Sequence, residues 1–431
     1  MNAELAIFFY CSILGILLLK SIVKFKAINV TITCFSLYFI SALTSIYFFY
    51  NASYDYSKIS IIPMAYALCC ILLIFLPIIR YDTVKNKILS DEIGCNKYIY
   101  YSILFFSLIS IEPFLENLLH LPSVLHNQSS LANIYDARAE GDASDSEYLS
   151  WIGRKFFWIN FLLRDLIPIL LFYYIAKSKK LDKRILWGLF MGIMNPVVHS
   201  FALGGRSTII NTTFYLIFVY ILFRIYITKE RRHQIDKVLS VSFGCIVFLL
   251  ATITIVRFAS AEHSVDIWTW VSLYTGEGIL NFCADLWPLD KTSNGDNTFL
   301  LIRYILGLTD NIDIESVRAT RDALGVRNMV FYTFIGTIYY DFNKVGTIIY
   351  IIVFIVIFCK STIIHQNTVR LSQLIYLSIL GKLIMMGVMF YPYTLWNDQI
   401  SLLLVLIFTW ILSNKEKNGK KSNNFSYSSR L

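Results

Sequence analysis

Long apolar runs alternate with short polar breaks along the whole chain. They fall at about residues 5–19, 28–50, 59–79, 98–118, 156–176, 185–203, 208–227, 238–256, 344–359, 371–391 and 399–413. Most approach the ~20 residues that an α-helix needs to cross a hydrocarbon core, and the shortest would cross with local thinning or ragged ends. The pattern predicts an all-α polytopic integral membrane protein, a single membrane domain over 1–413 with about 11 transmembrane helices. An odd number of crossings puts the two termini on opposite sides. Two polar stretches, 112–155 and 257–343, are long enough to be substantial loops. Within the second, 328–341 is apolar but too short to span, which suggests a re-entrant hairpin. Residues 414–431, rich in Lys, Ser and Asn, read as a disordered tail.

Charge orients the pattern. Basic residues crowd one set of loops, at Lys20 to Lys26, Arg80 to Lys97, Lys177 to Arg184, Arg224 to Lys237, Lys360, Arg370 and the tail. Acidic residues prevail in the other set, including both long loops. The positive-inside rule then places the N-terminus outside and the C-terminus in the cytoplasm, with both long loops outside. Lys382 is the clear charge deep in a span. Only 16% of residues are charged and 56% are hydrophobic, against the quarter charged of a soluble domain, so the net +9 is a topological signal and not a nucleic-acid footprint. Of eight cysteines, Cys11, Cys34, Cys69, Cys70, Cys245 and Cys359 lie in apolar runs, Cys95 in a basic loop and Cys283 outside, which is no disulfide framework. The first run lacks the basic start and small-residue cleavage site of a signal peptide and is expected to stay as a helix.

Candidate chemistry gathers on the outer side. Gly204-Gly205 breaks an apolar run, Arg206 follows, and the chain turns straight back into the next run. A guanidinium at the lip of a bilayer is costly without an anion to hold, so it reads as a site, with a snorkelling arginine as the plain alternative. Arg257 stands at the outer mouth of its own run, in the same depth zone. Arg303, Arg318, Arg321 and Arg327 follow in the second long loop, where lysine is scarce. A planar fork binds phosphate oxygens in pairs and a lysine does not, so the cluster suggests a phosphate or pyrophosphate ligand. The plain alternative is pairing with local carboxylates such as Asp313, Glu315 and Asp322. His199, two helical turns before Arg206, is a candidate general base or a hydrogen-bonded histidine inside the bundle. Glu112, Glu277 and Asp341 are rivals. Trp268, Trp270, Tyr274 and Trp287 would stack on sugar faces or anchor the chain at the interface. No metal set, Walker loop or Gly-x-Gly-x-x-Gly fingerprint occurs, so neither metal nor nucleotide cofactor is expected.

Three stretches carry a family likeness: Gly204-Gly205-Arg206-Ser207, Arg257 opening a large external loop, and Tyr332 to Gly346 with Asp341 before a span. Together with the topology they resemble the bacterial Wzy-type oligosaccharide repeat-unit polymerases of O-antigen and capsule assembly. In the third stretch Asn343 stands where the family pattern has glycine. The resemblance implies a GT-C-like, metal-independent glycosyltransferase of the bacterial inner membrane that joins undecaprenyl-pyrophosphate-linked oligosaccharide repeat units on the outer face. On this reading the catalytic residues are Arg206 and Arg257, which hold and activate the pyrophosphate, and His199 or an external carboxylate, which takes the acceptor proton; Arg303, Arg318, Arg327, Asp341 and Tyr339 are substrate contacts. Membrane lipids, a chain-length regulator and a flippase of the same pathway are the implied partners. An O-antigen ligase shares the architecture. A lipid-linked glycan flippase is the rival from another class, and it would show midplane charges and broken helices.

Overall fold

The computed structural model describes residues 3–90, 96–126, 148–202, 207–242, 244, 267–309, 314–328 and 330–428. The chain is an all-helical multi-pass membrane protein. Among the described residues eight helices are long and apolar enough to cross a membrane, and one bent pair passes the same test only when its two helices are taken together. The count differs from eleven for three reasons. The 156–176 run is two helices, Trp151–Leu162 and Ile167–Lys177, meeting at 77°. The 371–391 run forms only the shorter helix Leu371–Met386. Most of the 238–256 run lies outside the described residues.

The chain divides into two compact units. The first holds Met1–Lys87, Glu262–Asn367 and Tyr376–Leu402. Its frame is α1 (Ala3–Phe25), α2 (Val30–Asn51) and α3 (Ile61–Thr83). The start of α2 is doubly capped: Asn29 accepts from the Ile32 amide at 2.9 Å and Asp82 from the Thr31 amide at 2.7 Å. The stretch expected to be external loop contributes a helix of 15 residues, Ile267–Asn281, that packs along α2. Gly276 makes the contact close, because an added Cβ would lie 2.6 Å from the Thr44 carbonyl. Ser41 and Ser45 hydroxyls donate to the carbonyls of Thr275 and Gly276 at 2.6 and 2.8 Å. Each such bond between membrane helices is worth only about 0.6 kcal/mol, so backbone proximity and packing carry most of this interface.

Residues 328–341 are not a separate hairpin. Thr333–Ser361 is one helix of 29 residues kinked at Asn343, whose φ is 58°. Before the kink, Thr333 to Asp341 are all buried, and the helix is tied at its start to Gly387 and Met389 by backbone bonds. The last helix, Trp396–Ser428, begins in this unit and continues through the stretch read as a disordered tail.

The second unit holds Ile88–Ala261, Thr368–Ile375 and Leu403–Leu431. Here α4 (Asn96–Ile109), α5 (Ile111–His126), α6 (Trp151–Leu162), α7 (Ile167–Lys177), α8 (Lys183–Ala202) and α9 (Ser207–Phe223) form a bundle around α8. Gly188 and Gly192 let α8 approach its neighbours; Cβ atoms there would meet Ser107 and Ser110 at 2.2 and 2.6 Å. Two short strands, Ile88–Leu89 and Thr368–Val369, pair in parallel at one end.

Candidate functional site

The second unit buries a polar chain around His199. Asn117 on α5 donates through Nδ2 to the Pro113 carbonyl at 2.8 Å and to Asn195 Oδ1 at 2.7 Å. Those acceptors fix the amide, so its Oδ1 faces the other way and accepts from the Tyr148 hydroxyl. The Tyr148 oxygen is also 2.6 Å from His199 Nδ1, and Asn117 Oδ1 is 3.1 Å from the same nitrogen. With the phenolic proton given to Asn117, Nδ1 carries hydrogen and Nε2 carries the lone pair. Phe157 packs against the imidazole with ring centroids 4.3 Å apart, and His120 stacks on Tyr148 at 4.0 Å. His199 is a hydrogen-bonded histidine within the bundle.

The arginines of the first unit divide. Arg327 is caged: Nε and Nη2 donate to Asp285 Oδ2 at 2.9 and 2.7 Å, and Nη2 donates to Asn281 Oδ1 at 2.6 Å. Its guanidinium lies over the Tyr54 ring at 3.6 Å. Burial works against the charge, but the bonds and charge of Asp285 win and hold Arg327 above the ordinary arginine range. Arg303 is drawn to Asp296 at 2.6 Å and donates to the Asn294 carbonyl at 3.1 Å. For these two the pairing alternative holds.

Arg318 and Arg321 differ. They lie three apart on the helix Ile314–Ala323, on one face, and neither forms an ion pair among the described residues. Burial lowers the pKa of Arg321, and the like charge of Arg318 adds to that, against the pull of Tyr340, Tyr332 and Asp341. A bound anion would relieve both costs.

Asp341 is buried and already occupied. It accepts from the Ser293 hydroxyl, from the Asn297 side chain at 2.9 Å and from the Thr298 amide at 2.5 Å. Its carboxylate thus pins the 293–298 loop, and Gln399 adds a bond to the Asn297 carbonyl at 2.9 Å. The Tyr339 hydroxyl donates to the Trp287 carbonyl at 3.0 Å within a cluster that includes Tyr66 and Phe282. Trp287 is covered on this side by Tyr339 and by Lys344, 4.7 Å from its ring. Tyr274 packs on Phe331, whereas Trp268 is 71% exposed. Glu277 is buried beside the Phe331 amide, and Glu112 is 3.3 Å from the Ser150 hydroxyl.

No protein-family model, curated protein or solved structure matches this chain. The site is read from its own residues. Arg206 and Arg257 lie outside the described residues, as do Asp310 and Asp313. No group able to hold a metal ion occurs among the described residues.

Three residues escaped the sequence reading of the site. Arg164 and Asp165 sit at the break between α6 and α7, inside a run taken as one span, so Lys382 is not the only deep charge. Arg164 lies 4.2 Å from the Phe161 ring centre, and the Asp165 carbonyl accepts from Tyr215 at 2.7 Å. Two adjacent charges followed by Pro168 in an apolar run were the available signal. Tyr148 borders an acidic loop with nothing in its sequence context to mark it. Lys382 has a carboxylate neighbour, Asp398, at 4.0 Å.

Proposed function

We propose that this protein is a Wzy-type polymerase joining undecaprenyl-pyrophosphate-linked oligosaccharide repeat units at the outer face of the bacterial inner membrane. The observation that carries the reading is the Arg318–Arg321 pair, two guanidiniums three residues apart on one face of the helix Ile314–Ala323 and in no salt bridge among the described residues, while Arg303 and Arg327 are matched to acids. Two neighbouring guanidiniums in a partly buried setting suit the oxygens of a pyrophosphate. In this reading Arg206 and Arg257 hold the leaving pyrophosphate, and Arg318 and Arg321 meet the anion of a lipid carrier. Arg327 and Asp341 act as positioning residues, fixing the loops on either side of the arginine helix.

His199 supplies the base. An acceptor sugar hydroxyl attacks the anomeric carbon of the donor, its proton passes to Nε2, and the bond to the pyrophosphate oxygen breaks. The pyrophosphate leaves with the electron pair, and arginines stabilise the charge it gains.

One observation favours a flippase. The 77° break at Arg164-Asp165 is the kind of interrupted helix with buried charge that transporters use. Purified protein incubated with a lipid-pyrophosphate-linked repeat unit separates the readings. A ladder of longer glycans supports the polymerase; movement of the unit across vesicles with no lengthening sinks it. Transfer to a lipid A core acceptor without self-lengthening identifies a ligase.

A further inference from the structure

The second unit carries a groove of about 590 Å³ between α4 and α8 that belongs to none of the chemistry above. Tyr100, Leu104, Leu108 and Ile111 form one wall at helical spacing, and Trp187 and Met191 form the other. The two helices pinch together at its floor, where Gly188 meets Ser107. One end is closed by Asp182, Lys183 and Arg184. Asp182 is already engaged there: its Oδ1 accepts from the Arg184 amide at 2.9 Å. The two basic side chains are left at the mouth, beside the start of α8, whose helix dipole adds positive potential.

Length decides what fits. From Tyr100 to Ile111 the wall rises about 16 Å at 1.5 Å per residue. That is close to half of the ~30 Å hydrocarbon core, the depth of one leaflet. The apolar channel thus runs one leaflet deep from a basic mouth, with Trp187, 59% exposed, near the mouth as interfacial tryptophans are. A neighbouring cleft lined by Tyr100, Tyr173 and Lys177 extends the basic rim.

We infer that this groove seats an anionic phospholipid of the leaflet on the basic side, its phosphate at Lys183 and Arg184 and one acyl chain along α4. The positive-inside rule makes that the cytoplasmic leaflet, and the inference rests on no part of the polymerase reading.

Native mass spectrometry of the full chain, titrated separately with phosphatidylglycerol and phosphatidylcholine, tests it. Wild type is expected to retain the anionic lipid at least about tenfold better, since two cations near a phosphate are worth roughly thirtyfold in affinity. Lys183→Gln with Arg184→Gln removes that preference. Leu108→Trp fills the channel with the mouth intact and abolishes retention of either lipid, and Lys24→Gln with Lys26→Gln, which lowers net charge equally in the other unit, leaves the preference unchanged. Equal retention of the two lipids, or equal losses in the two charge variants, overturns the inference. So does a change in the dimer fraction in place of lipid retention, which would mark the groove as an interface between copies.

Discussion

The Tyr148 oxygen lies 2.6 Å from His199 Nδ1 while its proton goes to Asn117. The pair therefore sets which imidazole nitrogen is basic. Removing the hydroxyl takes away the 2.6 Å contact and keeps the longer one from Nδ1 to Asn117 at 3.1 Å. Tyr148→Phe is expected to slow glycan lengthening about tenfold, and His199→Gln about a hundredfold or more, the range of general-base contributions. Wild-type turnover in folded His199→Gln protein would remove His199 from the chemistry.

The Arg327 cage predicts a large stability effect away from any substrate. Asp285→Asn weakens two bonds to a guanidinium that also stacks on Tyr54, and should cost about 2 kcal/mol. Thermal unfolding in a fixed detergent measures it. A loss as small as that of an exposed ion pair, below about 1 kcal/mol, would mean the cage is incidental.

Asp296 predicts the opposite trend with pH. Burial raises its carboxyl above the ordinary 3.8 despite Arg303, so the folded state holds this proton more tightly than the unfolded chain does. Its contribution to stability is present below pH 3.8 and is lost as pH rises through the raised value. The melting temperature of wild type relative to Asp296→Asn should fall across that interval. A difference that grows with pH would show that the Arg303 pair dominates.

Asn343 occupies a backbone conformation with φ of 58° and ψ of −171° that is nearly reserved for glycine. Its side chain offsets part of the strain by accepting from the Lys344 amide at 2.6 Å. Asn343→Gly should raise stability slightly, and Asn343→Val should lower it by about 1–3 kcal/mol. A neutral Asn343→Val would show that the kink is soft.

Hydropathy made the membrane helices legible because lipid imposes the same apolar length on every span. It failed at Arg164-Asp165, where two charges inside an apolar run should have ended the helix, and along Ile267–Asn281, a helix too short to span that packs beside α2. Asp341 lies at a structural junction, and nothing in the sequence said that its carboxylate would be filled by Ser293, Asn297 and Thr298. The division of the arginines was also hidden, since Arg327 takes its partner from 42 positions away. Arg318 and Arg321 were visible as an i, i+3 pair, but which arginines pair with acids depends on where the acids fall once folded.

The most direct measurement is the rate of glycan lengthening by Arg318→Gln/Arg321→Gln protein beside Arg303→Gln, with folding matched by thermal stability. If the Arg318–Arg321 pair holds the lipid-linked anion, the double variant loses about a hundredfold to a thousandfold in rate, and Arg303→Gln loses little. A double variant that builds the wild-type ladder would contradict the account.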